Sequence, residues 1–447
     1  MQVNIPISEK EKEVFDAIVS EGGQLFFVGG IVRDTLLKRE SKDIDVEVFH
    51  LSYDKLCEIL SRFGHVETFG ASFAVVHLDL LQHCEFALPR QEKSRGSGHQ
   101  DFDIIIDSEL PLEKAARRRD FTINAMMVDY KTKQLFDFFH GYDDLMDKRL
   151  EVIDEKSFQE DPLRLYRGAS FISRFHLEAS ERTKTICKNM KEKVKYLSEE
   201  RIYEEYVKIL MGDFPSLGMT FLKDVGVLPS YLEALIHTHQ RPDYHPEGNV
   251  WNHTMLVLDH AAEVKVETSW PLAFMWSALL HDIGKPLVTT EDGRAIGHHE
   301  AGVDVFKDVK IIKNKKLRAY VKMMILVHME LMKIFYDHSR PIVYKRLLKK
   351  IDGIFPLNDL VWFSRCDKAG TGRCAIQDMA FINERLEEYV SSYGDHAQEA
   401  LVSGKDLLAL PIEDHRQYGD ILRQAYEWQL QGMKKESILR RILHEFR

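Results

Sequence analysis

The chain has 447 residues, 44% hydrophobic and 30% charged. That is the balance of a soluble globular protein, and the length excludes a single core, so two to four domains are expected. The net charge of −10 does not advertise a nucleic-acid binder, yet basic residues gather at Arg117 to Arg119, Lys191 to Lys195, Lys313 to Arg318 and Lys345 to Lys350, where a local RNA track could form.

The longest apolar run, near Trp270 to Leu280, is too short to span a bilayer and is interrupted by Pro271 and Ser277. The first residues lack a signal pattern, so a cytoplasmic protein is expected. Cys57, Cys84, Cys187, Cys366 and Cys374 are scattered, odd in number and without a CxxC pair, which argues against a disulfide framework and a thiolate zinc site.

In chain order, residues 8–21 have helical periodicity with Val14, Ile18 and Val19 as the apolar stripe, and lead into an apolar strand, Phe26 to Val28. Gly29 and Gly30 follow, then a helical pattern carrying Arg33 and Asp34. Strand, tight turn and helix N-terminus suit a phosphate, because paired glycines admit an anion close to free backbone N–H groups. A second strand, Asp43 to Phe49, alternates acidic and apolar residues, so Asp43 and Asp45 share one face while Ile44, Val46 and Val48 take the other. Two carboxylates so close repel unless cations sit between them, and a divalent metal pair that activates one oxygen and stabilises another at phosphorus is the natural occupant. An isolated DxD is as well explained by a solvated strand face; joined to GGxxRD it is specific.

GGxxRD followed by DIDVEVF resembles the nucleotidyltransferase superfamily of the DNA polymerase beta type, and specifically its class II CCA-adding enzymes and bacterial poly(A) polymerases. The resemblance implies that Asp43 and Asp45 hold Mg2+, that Glu85, on the third of the short strands VETF, FAVVHLDL and HCEFALPR, is the third active-site carboxylate, and that Gly30, Arg33 and Arg119 bind the triphosphate. Gln91 to Gln100, QEKSRGSGHQ, reads as a mobile loop, and RRRDFTINAM, residues 117–126, as the opening of a helix. A hairpin with its turn at Lys131 to Lys133 follows, and Gly141, Asp143, Asp144 and Leu145 resemble the family's hinge element.

Next comes Glu160-Asp161-Pro162-Leu163-Arg164, with Arg167 one turn on. On a helix, Asp161 and Arg164 would share a face, presenting an acceptor beside a donor. Cytosine and adenine offer the complementary donor and acceptor; uracil and guanine offer the reverse. Reading the base without a template is the role the family assigns to this motif, with Arg167 close to the nucleotide. Where the family often has a further arginine one turn beyond Arg167, this chain has Ser170. From Ser157 to about Ile236 the pattern is helical throughout, with Ser198 as an N-cap before Glu199 and Glu200.

A second chemical centre begins with His253 at the start of an apolar helix and His281-Asp282 at the end of another. With Asp367 they fill the H…HD…D order of the HD phosphohydrolase superfamily, a borderline ligand set for a divalent metal of unspecified identity. His299 and His328 have suitable spacing for a second metal or for support of the first.

The expected fold is therefore a multidomain α/β plus all-α chain: a nucleotidyltransferase head with a mixed sheet at 1–150, a helical neck at 151–240, an HD domain at 241–375 and a helical C-terminal region at 376–447. The expected activity is addition of CCA to tRNA from CTP and ATP, with a second metal-dependent phosphohydrolase activity and no membrane partner. The alternatives are a CC-adding or A-adding enzyme, a poly(A) polymerase, and an HD phosphohydrolase with an RNA-binding head. Oligomeric state is open.

Overall fold

The structure is a computed structural model that describes residues 1–68, 75–94, 102–373, 375–376, 379–412 and 414–446. It forms two compact units, Met1–Val227 and Leu228–Arg447.

The first unit opens with the helix Glu9–Ser20, held by a reciprocal cap in which Ser8 and Glu11 each satisfy the other's backbone N–H. Its Val14, Phe15 and Ile18 are buried against the sheet that follows. The strands are β1 (Gln24–Val28), β2 (Ile44–Phe49), β3 (Val66–Thr68), β4 (Val75–Leu78), β5 (Cys84–Ala87), β6 (Arg90–Ser94), β7 (Phe102–Ile106), β8 (Met127–Asp129) and β9 (Leu135–Phe136). Seven of them form a mixed sheet in the order β3-β4-β5-β2-β1-β8-β9, with β2 and β5 parallel. That register sets Asp45 opposite Glu85 and Ile44 opposite Cys84, so one face of the sheet collects acids and the other packs Ile44, Val46, Val48 and Phe86 into the core.

Three expectations need correction. Gln91 to Ser94 is not loop: it lies in β6, which pairs antiparallel with β7, while residues 95–100 of the expected loop fall outside the described residues. Residues 117–126 do not open a helix. The helix Leu112–Arg117 ends there, and a short 3-10 turn, Thr122–Asn124, follows, because the Asp120 carboxylate accepts from Phe121 N and Asn124 Nδ2 and so stabilises a turn in place of a helix start. Asp161 and Arg164 do not sit on one helix either. Pro162 forces its predecessor extended, so Asp161 (φ −117°, ψ 100°) separates the helix Glu155–Glu160 from the helix Leu163–Phe175.

The hairpin of β8 and β9 turns through Lys133 at φ +61°. At Gly141, which starts the helix Gly141–Met146, an added Cβ would come 2.2 Å from the Thr122 carbonyl oxygen, so no other residue fits without displacing the turn. The remainder of the unit is helical except for a two-residue strand at Glu178–Ala179 paired with Arg149–Leu150. Ser198 caps the helix Glu199–Met211 by accepting from Arg201 N.

Among the described residues of the second unit, the named elements are all helices. Val250–Val264, Pro271–Leu280, Lys315–Val327 and Leu357–Ala369 surround a core containing Phe274, Trp276, Tyr320 and Phe363. A separate small core of Val402, Leu407, Ile421, Trp428, Ile438 and Ile442 closes the chain. Cys57, Cys84, Cys187 and Cys366 are free, and Cys374 lies outside the described residues. Among the described residues no helix is long and apolar enough to cross a membrane.

Two candidate metal centres

In the first unit, β2 and the turn after β1 deliver the acids and glycines to a cavity of about 850 Å³. Gly29, Gly30, Arg33, Asp43, Asp45, Arg119, Asp161, Arg164 and Arg167 all line it, so eight of the nine residues expected to act on the nucleotide and its metals, with Gly29 added, meet here. Glu85, the ninth, is exposed and stands in register beside Asp45. Burial, the Glu85 carboxylate and Asp43 push the Asp45 carboxyl above its ordinary range, with Arg119 opposing them. A partly buried carboxylate set whose repulsion the nearby arginines do not cancel is what a site built for divalent cations looks like, so the residues fit the metals the sequence implies.

The cavity walls are positive. Arg33, however, does not reach into solvent: it is 4% exposed, donates through Nε to Asp34 at 2.9 Å and through Nη1 to Asn124 at 2.6 Å, and lies 4.3 Å over the Phe175 ring. It acts as a fixed wall of positive potential. Asn124 in turn donates to Asp120, whose second oxygen accepts from Arg167 Nε at 2.8 Å. Burial works against the charge on Asp120, but Arg167 and Asn124 together hold its carboxyl below the usual range.

Asp161 accepts from Leu163 N at 3.0 Å and is paired with Arg201 at 3.1 Å, while Arg164 donates to the carbonyl oxygens of Ser157 and Arg118 at 3.0 and 3.1 Å. Arg164 and Arg201 are thus each held by fixed acceptors through their Nη atoms, and Asp161 and Arg164 reach one cavity across the helix break, not by helical spacing. Sequence reading missed Arg201. The signal was there: the Ser198 cap places Arg201 in the first turn of its helix, where a basic residue is electrostatically misplaced unless it has another task. Arg174 also lines the cavity, whereas Ser170, in the place of the family's further arginine, is buried and donates to the Arg167 carbonyl.

The second centre lies in the second unit. His253, in the first turn of its helix, lies with Nε2 2.9 Å from Asp367 Oδ1 and 3.9 Å from Asp282 Oδ2, and His281 Nε2 is 3.2 Å from Asp282 Oδ2 and 3.8 Å from Asp367 Oδ1. All four sequence-expected ligands therefore converge. His328 joins them, 3.9 Å from Asp282 Oδ1. His299 does not: it is half-buried with Nε2 2.9 Å from Glu300, and its neighbour His298 takes the place, 3.6 Å from Asp282 Oδ1. Gly297 at φ +79° starts that helix, and one residue along it turns the side chain by about 100°, which points His298 inward.

The protonation pattern shows that these residues fit a metal. A carbonyl oxygen can only accept, so the contacts of His281, His298 and His328 Nδ1 with Ala278, Ala295 and Ile325 oxygens, at 3.0, 2.8 and 2.9 Å, fix the proton on Nδ1 in all three rings. Their Nε2 lone pairs consequently aim inward, and those of His298 and His328 face each other at 3.2 Å. Two lone pairs at that separation call for a cation between or beside them. Burial, with His281 and His298, lowers the His328 pKa to about 3, so a proton is a poor candidate near neutrality. Asp282, despite burial, is held well below the usual carboxylate range by His281 and Lys285. Sequence reading also missed Glu247, whose Oε1 lies 2.8 Å from His245 Nδ1 and 2.9 Å from His253 Nδ1 and so fixes the ring that faces Asp367. The adjoining cavity, about 320 Å³, is lined among others by His245, Lys285, Tyr336 and Lys368.

Comparison with known proteins supplies independent findings. Residues 25–151 match the Poly A polymerase head domain, 176–236 the probable RNA and SrmB-binding site of polymerase A, and 250–355 the HD domain. The chain is 34% identical over 357 residues to the multifunctional CCA protein of Laribacter hongkongensis, covering 77% of this chain and 84% of the relative. To that of Haemophilus ducreyi it is 34% identical over 284 residues, 62% of this chain, a match that spans just under two thirds, 66%, of the relative. A CCA-adding enzyme solved in an apo form shares the fold with a TM-score of 0.62 at 20% identity, covering 98% of this chain and 96% of that one. The chain therefore belongs to the family of multifunctional CCA proteins, CCA-adding nucleotidyltransferases that carry an HD domain.

Proposed function

We propose that the chain adds C, C and A to the 3′ end of tRNA from CTP and ATP without a nucleic-acid template. The observation that carries this reading is the assembly in one cavity of Asp43 and Asp45, the Gly29-Gly30 turn and the Asp161/Arg164 pair. The tRNA 3′-hydroxyl attacks the α-phosphorus of the bound nucleotide, and pyrophosphate leaves. Mg2+ held by Asp43, Asp45 and Glu85 would lower the pKa of the attacking hydroxyl and stabilise charge on the leaving oxygen. The chain's own part is binding and orientation: Gly30 N–H and Arg119 take the phosphates, Arg33 adds fixed positive potential, and Arg167, held by Asp120, lies beside the nucleotide. Asp161, steadied by Arg201, accepts from the exocyclic amino group of cytosine or adenine, and Arg164 donates to the ring nitrogen. Uracil and guanine present the reverse pattern and leave both groups unpaired.

The functional head, neck, HD domain and C-terminal region are assigned to 1–150, 151–240, 241–375 and 376–447. The setting this activity implies is the cytoplasm. The HD centre is assigned a separate hydrolysis of phosphomonoesters or 2′,3′-cyclic phosphates, in which a divalent metal held by His253, His281, Asp282 and Asp367 would supply hydroxide near neutral pH. His298 and His328, with Asp282 between the two sets, are arranged for a second ion.

The test is incubation with tRNA lacking its 3′ end and CTP alone, ATP alone or both, with products read at single-nucleotide resolution. Growth by two residues with CTP and by three with both is expected; arrest after CC with both nucleotides, growth with ATP alone, or a long A tail would move the chain to the CC-adding, A-adding or poly(A) class.

A further inference from the structure

Glu47 follows Asp45 by two residues on β2, so its side chain leaves the same face of the sheet. It is 0% exposed and stands opposite Phe26 on one neighbouring strand and Ala87 on the other, a position where packing asks for an apolar residue. Its Oε1 instead accepts from Arg118 Nη2 at 3.0 Å, and its Oε2 lies 3.5 Å from Arg119 Nη2 and accepts no hydrogen bond among the described residues. The Nε atoms of both arginines are likewise buried without a hydrogen-bond partner. A buried charge cluster with unspent donors is costly, and the fold gains nothing visible from it.

The head site explains the arrangement. A Cβ placed on Gly29 would stand 3.1 Å from Arg119 Nη1 and 3.3 Å from Asp45 Oδ2, so the Arg119 guanidinium and a metal-holding carboxylate both lie against the phosphate-cradling turn, within reach of each other's charge. Two anions, Asp45 and Glu47, therefore compete for one guanidinium. If Asp45 won, Arg119 would occupy the place of the divalent cation and be turned away from the triphosphate.

We propose that Glu47 is a positioning residue of nucleotidyl transfer, a buried counter-charge that draws Arg118 and Arg119 off Asp45 and aims the Arg119 fork at the incoming triphosphate. This rests on the reading of the head as a nucleotidyltransferase. Acting through Arg119, Glu47 governs nucleotide and Mg2+ affinity while touching neither.

The experiment uses the full chain and tRNA lacking CCA, with KM for CTP and ATP, half-saturating Mg2+, kcat and thermal melting measured for wild type, Glu47→Gln, Arg119→Lys and the double variant. Glu47→Gln is expected to raise both KM values and the Mg2+ requirement by roughly tenfold or more, with a smaller fall in kcat. The double variant is expected to be little worse than Arg119→Lys, because nothing is left to aim. A residue that merely supports the fold would lower the melting temperature and the active fraction, hence kcat, and leave KM alone. Unchanged KM and Mg2+ requirement, or effects that simply multiply in the double variant, would overturn the proposal. Should Glu47→Gln fail to fold, Glu47→Asp, which keeps the charge on a shorter arm, decides: raised KM and Mg2+ requirement support it, wild-type values overturn it. A wild-type chain that adds no nucleotide would overturn the functional reading and this inference with it, whereas addition by wild type with wild-type constants in the variant overturns the inference alone.

Discussion

The two metal centres are built on opposite principles. In the head, Asp43 and Asp45 line an open cavity with Glu85 in register beside Asp45, and burial first, then the neighbouring carboxylates, raise Asp45 above its normal range against the pull of Arg119. In the HD unit, acids and imidazoles alternate in a buried cluster where each carboxylate already has cationic or imidazole company and is held below its normal range. The first is a site of hard oxygen ligands that gains a cation when a triphosphate brings one; the second is a borderline set with inward Nε2 lone pairs that suits a resident ion. A carboxylate cluster left in repulsion is stabilised by losing a member, whereas a compensated cluster is damaged by it. That contrast can be tested without any assay of activity.

The largest effect is expected at Asp282. Its removal leaves Lys285, whose Nζ is 2.7 Å away, without its buried counter-charge. Asp282→Ala should destabilise the second unit by about 3 to 5 kcal/mol in the metal-free protein. Chemical denaturation in chelator measures this, and a loss under about 1 kcal/mol would mean the cluster is not internally compensated.

A smaller effect belongs to specificity in the head. Arg201→Ala removes one anchor of the Asp161 carboxylate and should narrow the preference for CTP and ATP over UTP and GTP by about 1 to 3 kcal/mol, with little change in triphosphate affinity. Competition among the four nucleotides reads this, and an unchanged ranking would assign Arg201 to the neck fold. Smaller still, and of opposite sign to Asp282, Asp45→Asn should stabilise the metal-free head by up to about 1 kcal/mol, because a partly buried charge that Glu85 and Asp43 repel is gone. A lower melting point in that variant would contradict the repulsion argument.

The motifs were legible where chemistry depends on sequence neighbours. Gly29-Gly30, the Asp43/Asp45 alternation and the His281-Asp282 doublet each stand at the end of one element, where local geometry fixes their direction. Legibility failed where a residue's direction is set by a partner far along the chain. Asp161 and Arg164 are placed in one cavity by Pro162, Arg201 and Ser157; Glu47 answers arginines about 70 residues away; and His298 replaces His299 because a left-handed Gly297 sets the phase of its helix. The register that brings Glu85 to Asp45 was supplied by family resemblance, since neither strand alone encodes its parallel pairing.

The smallest predicted effect is on pH. Asp120 is held below its ordinary pKa in the fold, so unfolding takes up a proton as the pH falls below the unfolded value of about 4. Its contribution is complete above that value and is lost as pH falls through the folded pKa. Asp120→Asn should therefore flatten the acid limb of head stability below about pH 4 and cost a constant amount above it; an acid limb as steep as in wild type would remove Asp120 from the network.

The central claim, two chemically distinct and independent metal centres on one chain, is tested most directly by one crossed assay. Asp45→Ala and the double variant His281→Ala/Asp282→Ala, each confirmed folded, are assayed for CCA addition with Mg2+ and for hydrolysis of a 2′,3′-cyclic nucleotide with added nickel, manganese or magnesium. The account predicts that Asp45→Ala loses addition by more than about 100-fold and keeps hydrolysis, while the double variant loses hydrolysis and keeps addition. Loss of both activities in either variant, or hydrolysis that survives the double substitution, would contradict it.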